Sequence, residues 1–325
     1  MLASRSFAAS LAVVAMMAHA APATAEVRYP ERPVRIVLPY GAGGIADVTT
    51  RIVAQRLGQR MGQNFVIENK PGAGGALAAK AALAFPADGY TLFESGNSSA
   101  IAESLFRSPP FSLTNDFTPV AMLAEFDMLL ATGPESTLDT VGKLVDFAKR
   151  NPGKLNFGTV AIGSTQNLAA ELFRLTTGIE TVIVTYRTTP DLITAIMRGD
   201  VDVGFDYYAA FRPIIPDRKI KVIATSGERR DASLPDVLTV KESGYPDYVV
   251  TSWNALSVRA GAPQDVVTKL NEEITAVLTL PDVRTQMAEF GMSPLSATPA
   301  QMIERIRADV AKWRAVIEKA GIPRQ

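Results

Sequence analysis

Short runs of apolar and β-branched residues alternate along the chain with segments whose apolar residues recur at helical spacing. The predicted helices include Ala46–Met61, Gly75–Ala84 and the segments that contain "QNLAAELF" and "PDLITAIM". Strands that alternate with helices favour an α/β fold with mainly parallel sheets and helices on both faces. The predicted strands are "VRIVLPY", "NFVIEN", "YTLFES", "KLNFGTV", "TVIVTY", "VDVGFD" and "KIKVIATS".

The C-terminal segment carries the clearest helix signals. Thr298 is placed as an N-cap, Pro299 occupies the first helical position, and Gln301 completes a capping box. The helix is predicted to end before Gly321. Because Trp313 falls on the apolar stripe, we expect it in the core and not at a ligand. That stripe consists of Met302, Ile306, Val310, Trp313 and Ile317.

Residues 1–25 differ from the rest of the chain and predict a secretory signal peptide. Arg5 precedes the apolar run "FAASLAVVAMMA", and small residues ending at Ala20 or Ala25 fit a cleavage site. There is no twin-Arg pair, which disfavours export of a folded, cofactor-loaded protein. We therefore expect a periplasmic mature protein.

Charge and composition narrow the possible functions. Removing residues 1–25 takes away one of 33 basic residues and none of 33 acidic ones, leaving a formal net charge of −1. That balance indicates no general attraction to nucleic acid. The chain has no Cys, and its one His, His19, lies in the predicted signal peptide. Ser-His-Asp and Cys-His catalysis and the usual zinc sites are thereby excluded, and we expect no metal or cofactor.

A glycine loop, "YGAGG", lies between the first predicted strand and helix, and three interpretations are open. Gly41, Gly43 and Ala46 fit a G-x-G-x-x-G/A pattern, and Glu68 lies 22 residues beyond Ala46, near the place of a ribose-binding acid. Alternatively, the N–H groups at the helix start hold a small carboxylate. The third possibility is a tight turn without a ligand. No P-loop lysine follows the glycines.

A second loop of the same kind occurs in "NFGTVAIGSTQNLAAELF". Ser164 and Thr165 add hydroxyl groups that could cap the helix or contact a ligand. Two such loops on separate lobes could hold both ends of a dicarboxylate. Ser95–Ser99 is predicted to form a further polar loop, and Pro71–Gly75 is given mainly a structural role.

The lobe boundaries are predicted from spacing alone. Extended stretches at Glu125–Leu130 and Val249–Val258 are candidate crossings between lobes. Two crossings would insert the second lobe into the first. The resulting division is 26–128 and 253–325 for lobe 1, and 129–252 for lobe 2.

The combined motifs "YPERPVRIVLPYGAGGIADV", "VIENKPGAGGALAA", "PADGYTLF" and "GSTQNLAAELF" closely resemble the Bug family. Its members are extracytoplasmic substrate-binding receptors of tripartite tricarboxylate transporters. The resemblance implies a two-lobed periplasmic binding protein (Venus-flytrap) fold that closes on a small carboxylate, held largely by main-chain groups of the two loops. It also implies delivery of that ligand to membrane transporter subunits or to a sensor.

The resemblance carries over to particular positions. Asp206 matches an acid that faces the cleft in relatives binding amino or hydroxyl groups, although capping of the next helix is an equal alternative. The family often has His where this chain has Ser99 and Asn167, and its Y-[KR]-G becomes Tyr186-Arg187-Thr188, with Arg187 expected in solvent. The expected ligand-binding set is Tyr40, Ala42, Gly43, Gly44, Asp47, Asn97, Ser98, Gly163, Ser164, Thr165, Asn167 and Asp206.

These observations predict a monomeric solute-binding receptor with no catalytic activity. The alternative is a secreted dinucleotide-dependent oxidoreductase that uses the first glycine loop.

Overall fold

The computed structural model describes residues 28–325, so the predicted signal peptide lies outside the described residues. Within this range no helix combines the length and apolar character needed to cross a membrane. The strands are β1 (Val34–Leu38), β2 (Phe65–Asn69), β3 (Thr91–Gly96), β4 (Phe117–Thr132), β5 (Leu155–Val160), β6 (Thr181–Tyr186), β7 (Val203–Tyr207), β8 (Lys221–Thr225), β9 (Thr251–Arg259) and β10 (Ser293–Pro294). The helices are α1 (Ile45–Met61), α2 (Ala76–Leu83), α3 (Asn97–Leu105), α4 (Val141–Arg150), α5 (Thr165–Thr177), α6 (Thr189–Arg198), α7 (Tyr208–Phe211), α8 (Gln264–Leu278), α9 (Pro281–Ala288) and α10 (Pro299–Lys319).

The strands follow the order β2-β1-β3-β9-β4-β7-β5-β6, with β8 and β10 pairing to β4. The outer groups β2-β1-β3 and β7-β5-β6 are parallel, as the alternation of strands and helices predicts. The central pairs of β9 with β3 and β4, and of β4 with β7, are antiparallel. The difference arises because β9 does not follow β3 through a helical crossover but enters from the other half of the molecule.

Strand β4 joins two α/β lobes. Its residues from Phe117 to Asp127 pair with β9, and those from Met128 onward pair with β7 and β8. We call the half with β1–β3 and β9 the first lobe, and the half with β5–β8 the second lobe. The residue-level boundaries at 128/129 and 252/253 stay a prediction.

Ser226 forms hydrogen bonds to both chain segments that pass between the lobes. Its N–H donates to the Met128 carbonyl at 2.9 Å, and its hydroxyl oxygen accepts from the Met128 N–H at 2.8 Å. The same hydroxyl donates to the Val250 carbonyl at 2.5 Å, and the Val250 N–H returns a 2.7 Å bond to the Ser226 carbonyl. The two crossings are therefore held side by side at one residue.

Helix α10 packs against the cores of both lobes. Met302 and Ile306 share a cluster with Phe93 of the first lobe, whereas Trp313 shares one with Phe157 of the second. Trp313 is buried, as predicted. The predicted capping box is also present, with Thr298 and Gln301 exchanging side-chain to backbone hydrogen bonds. The helix thus lies across the junction between the lobes.

Candidate ligand-binding site

A cavity of about 500 Å³ lies at the junction of the two lobes. This volume falls within the range of small-molecule sites in proteins. One wall comes from the loop after β1 and the start of α3, and another from β7 and α7. Six predicted residues line it: Tyr40, Gly43, Gly44, Asn97, Ser98 and Asp206.

The first glycine loop places the N-terminus of α1, which has no side-chain cap, at the edge of this cavity. Gly44 is the N-cap residue, and its carbonyl accepts the first helical bond, from the Val48 N–H at 2.9 Å. No side chain among the described residues caps this helix. The first-turn N–H groups of a helix have no intrahelical acceptors and attract an anion. Because Ile45 and Ala46 line the cavity beside Gly44, these donors border the space that a ligand would fill.

Asp47 holds the loop in place from outside the cavity wall. It is buried and accepts from the Gly43 N–H at 2.9 Å, from both Nε and Nη2 of Arg51, and from Asn69 Nδ2 at 2.9 Å. Burial opposes ionisation, but the bonds from Arg51, Gly43 and Asn69 keep the pKa of Asp47 below its usual value. Asn69 also donates to the Tyr40 carbonyl at 3.0 Å. Asp47 is thus a positioning residue for the loop.

The second loop repeats this arrangement with one change. Gly163, with φ of 79°, donates its N–H to Asn167 Oδ1 at 3.1 Å, as Gly43, with φ of 83°, does to Asp47. Here, however, the N-cap is Ser164, whose hydroxyl accepts from the Asn167 N–H at 3.1 Å. The first loop leaves that position to a glycine. Both loops are therefore glycine-x-x-x-Asx turns, but only the second has a side-chain cap.

Several predicted residues lie outside the cavity wall. Ala42 is exposed in the first loop, and Thr165 is buried at the start of α5. Thr165 nevertheless touches the wall, because Asn97 Nδ2 lies 3.3 Å from its Oγ1. The predicted ligand-binding residues that do not line the cavity are Ala42, Asp47, Gly163, Ser164, Thr165 and Asn167.

Asp206 forms part of the wall contributed by the second lobe. Gln166 Nε2 and the Tyr207 N–H donate to its Oδ1 at 2.9 and 2.8 Å, and Thr189 Oγ1 donates to its Oδ2 at 2.7 Å. Burial raises the pKa of Asp206, while these three bonds act in the opposite direction. Helix α7 has no side-chain cap bond, so Asp206 does not cap it in the usual way.

The prediction of a polar loop at Ser95–Ser99 is wrong. Strand β3 runs to Gly96, and α3 begins directly at Asn97. The chain turns this tightly because Gly96 lies against β9, where a Cβ atom would come 2.7 Å from the Trp253 carbonyl oxygen. Asn97 and Ser98 therefore meet the cavity from a helix start.

Glu94 lies on β3, next to Asn254 of the neighbouring strand β9. It is fully buried, and its Oε1 accepts from Asn254 Nδ2 at 2.7 Å. Its Oε2 has no partner among the described residues. Burial raises the pKa of Glu94 to about 8, against a lowering effect of the Asn254 bond. Because Asn254 lines the cavity, this neutral carboxyl group adjoins the site.

Residue patterns missed part of the wall. Gln166 lies inside the second-loop motif "GSTQNLAAELF" but was not selected from it. Thr189 directly follows the altered Tyr186-Arg187-Thr188 segment. Arg187 of that segment is exposed, as expected. The lining residues on the crossing strands gave no sequence signal, because a buried strand carries both core and site residues. The missed residues are Ile45, Ala46, Phe126, Gln166, Thr189, Tyr207, Ala209, Ala210, Ser252, Trp253 and Asn254.

Glu68, the acid that the dinucleotide hypothesis needs for binding a ribose, lies outside the cavity wall. Glu68 lies on β2, where Arg35 Nη1 approaches its carboxylate at 2.9 Å and Lys70 Nζ at 3.7 Å. It is not among the residues that line the cavity. The residue that was expected to bind a ribose thus forms ion pairs and does not line the cavity.

Comparisons of the sequence and of the structure with known proteins match the same kind of receptor. A family model described as tripartite tricarboxylate transporter family receptor matches residues 49–322. Protein BugT of Bordetella pertussis is 32% identical over 304 residues, which is 93% of each chain. The structure of R. palustris Rpa4515 with adipate has a TM-score of 0.81 and 31% identity, covering 91% of this chain and 99% of that one. MatC from Rhodopseudomonas palustris, with bound malate, has a TM-score of 0.76 and 28% identity, covering 89% and 100%.

These matches confirm the two-lobed periplasmic binding protein fold and the resemblance noted from the motifs. The family model spans most of the chain, and the match to Protein BugT, at 32% identity, covers 93% of it. The chain belongs to the tripartite tricarboxylate transporter receptor family, which is the Bug family that its sequence motifs resemble.

Proposed function

We propose that this protein is a periplasmic receptor that captures a small carboxylate in the cavity between its lobes and delivers it to a tripartite tricarboxylate-type transporter. The observation that carries the proposal is the uncapped start of α1, which borders a cavity closed on another side by the second lobe. Main-chain N–H groups there supply a site for an anionic oxygen without a cationic side chain.

The ligand class is supported by relatives of known structure. Rpa4515 is described with adipate and MatC with malate, both small carboxylates. The cavity volume of about 500 Å³ suits a molecule of this size. In our proposal, the ligand-binding residues are the six predicted residues that line the cavity together with Gln166 and Thr189.

Capture occurs by closure of the lobes about the crossing strands β4 and β9. Because the cavity takes its walls from both lobes, a bound ligand contacts both and favours the closed arrangement. We assign residues 26–128 and 253–325 to one lobe and 129–252 to the other, and the receptor acts as a monomer without catalytic activity. A transporter or a sensor then receives the closed form.

A thermal-shift screen tests this function. The mature protein is unfolded, dialysed and refolded to remove any retained ligand, and then screened with mono-, di- and tricarboxylates and with NAD. A carboxylate that raises the melting temperature, confirmed by calorimetry at one site per chain, supports the proposal. Stabilisation by NAD alone, or by none of the carboxylates, would contradict it.

A further inference from the structure

We infer that the ligand carries a single negative charge, as a monocarboxylate with an uncharged tail. This inference rests on the proposed function and specifies the ligand class of the same cavity. It differs from the sequence-based hypothesis that the two loops hold both ends of a dicarboxylate.

The cavity offers no positive side chain. Within residues 28–325, none of the residues that line it is a lysine, arginine or histidine. Arg51, on α1 after the first loop, is half-exposed and forms its ion pair with Asp47. An anion in this cavity therefore depends on neutral donors, which are supplied by the start of α1.

The second loop does not match the first as an anion site. The glycine N–H is bonded to an Asx side chain in both loops, but only in the second does a side chain also cap the helix, where the Asn167 N–H donates to Ser164 Oγ. Gly163, Ser164 and Thr165 are also absent from the cavity wall. The Ser164 cap thus takes one first-turn donor of α5, and the loop itself lies outside the wall, whereas the uncapped start of α1 borders the cavity.

The group that the second lobe does present is itself an acid. Asp206 lines the cavity, and the groups that face it are the amide of Gln166, the hydroxyl of Thr189 and the N–H of Tyr207, all neutral. These three donors stabilise the carboxylate form of Asp206 against the effect of burial, and a second ligand carboxylate beside an ionised Asp206 would meet a like charge without a counter-ion. Buried like charges without a cation are strongly unfavourable.

The remaining wall on this side suits an uncharged tail. The ring of Phe126 packs edge-on against Tyr207 with centroids 5.0 Å apart, and both rings line the cavity. Ala209 and Ala210 of α7 add two methyl groups. An aliphatic or aromatic tail would be desolvated here at little cost, whereas a charged tail would not.

Two pairs of probes of matched shape test this inference by calorimetry near neutral pH. Hexanoate is compared with adipate, and 4-methylbenzoate with terephthalate, so that each pair differs in the second carboxylate. The refolded wild-type protein is expected to bind at least one monocarboxylate about tenfold or more tighter than its dicarboxylate partner. Asp206→Asn should narrow that ratio, whereas Asp200→Asn, an exposed residue of the same lobe, should leave it unchanged.

The outcomes separate the two proposals. If a dicarboxylate binds as tightly as or tighter than its partner, the single-charge inference is wrong while the receptor function stands. If Asp206→Asn folds normally by circular dichroism but leaves the ratio unchanged, Asp206 is not the source of the preference and the inference fails. If no carboxylate binds, in this set or in the wider screen, the receptor function fails and this inference with it.

Discussion

The indole nitrogen of Trp313 donates a 2.8 Å hydrogen bond to Oδ1 of Asn97, whose side-chain nitrogen lies 3.3 Å from Thr165 Oγ1. Asn97 is buried and lines the cavity. One amide therefore links the C-terminal helix, the start of α3 and the second loop. Trp313, which the sequence predicted only as a core residue, thus orients a side chain of the candidate site.

The first prediction concerns this link. Trp313→Phe removes the indole N–H and leaves Asn97 Oδ1 buried without its donor, which should lower the free energy of unfolding by about 1–3 kcal/mol, in addition to a packing loss. Urea denaturation measures the change. The double variant with Asn97→Ala should lose less than the sum of the single variants, because the two side chains form one interaction. Strictly additive losses would show that the bond does not contribute.

The second prediction concerns the backbone of the first loop. Gly43 has φ of 83°, and a Cβ atom added there would meet no atom within 4 Å. Gly43→Ala should therefore act through backbone strain alone, costing about 1–2 kcal/mol and weakening carboxylate binding. Gly41→Ala is the matched control, since Gly41 has equally open space and does not adopt a positive φ. Equal effects of the two substitutions on binding would contradict this account of the loop.

The third prediction uses the buried carboxyl group of Glu94. Its pKa is raised from 4.5 to about 8 in the folded protein, so the folded state retains a proton that the unfolded chain releases. The associated stability is fully present below 4.5 and is lost as pH rises through about 8. Between these values, the unfolding free energy of wild type should fall relative to Glu94→Gln by about 1.4 kcal/mol per pH unit.

Denaturation at a series of pH values measures this difference. Gln keeps the acceptor for Asn254 Nδ2, so the variant should fold normally. The raised pKa of Asp127, also caused mainly by burial, contributes equally to both proteins and cancels in the comparison. Parallel stability curves for the two proteins would show that Glu94 is ionised throughout this range.

The sequence was most informative where local rules decide the structure. Helix α10 follows from its capping box and apolar stripe, because both signals lie within one short segment. The antiparallel centre of the sheet was not predictable, since the direction of β9 depends on where the chain returns from the second lobe. The start of α3 at Asn97 was missed because the contact of Gly96 with Trp253 joins distant parts of the chain.

The site was predicted unevenly for a similar reason. Gly43 and Gly44 stood out because small residues between a strand and a helix mark an exposed helix start. The side-chain cap that distinguishes Ser164 from Gly44 was visible in the sequence, but its consequence needed the geometry of both loops. Phe126 and Asn254 lie on the crossing strands, where nothing in the residue pattern separates a wall residue from a core residue.

The most direct test of the central claim compares Gly44→Asp with Gly44→Ala in calorimetric titrations with the carboxylate identified by the screen. A Cβ atom at Gly44 would lie 3.8 Å from the Gly41 carbonyl oxygen, and the φ of −74° suits any residue, so both variants should fold. Ala preserves the main-chain donors and should bind within a few-fold of wild type. Asp caps the helix with its own carboxylate and should weaken binding by about a hundredfold or more while thermal stability is kept or raised. Wild-type affinity in Gly44→Asp would contradict capture of the ligand at the start of α1.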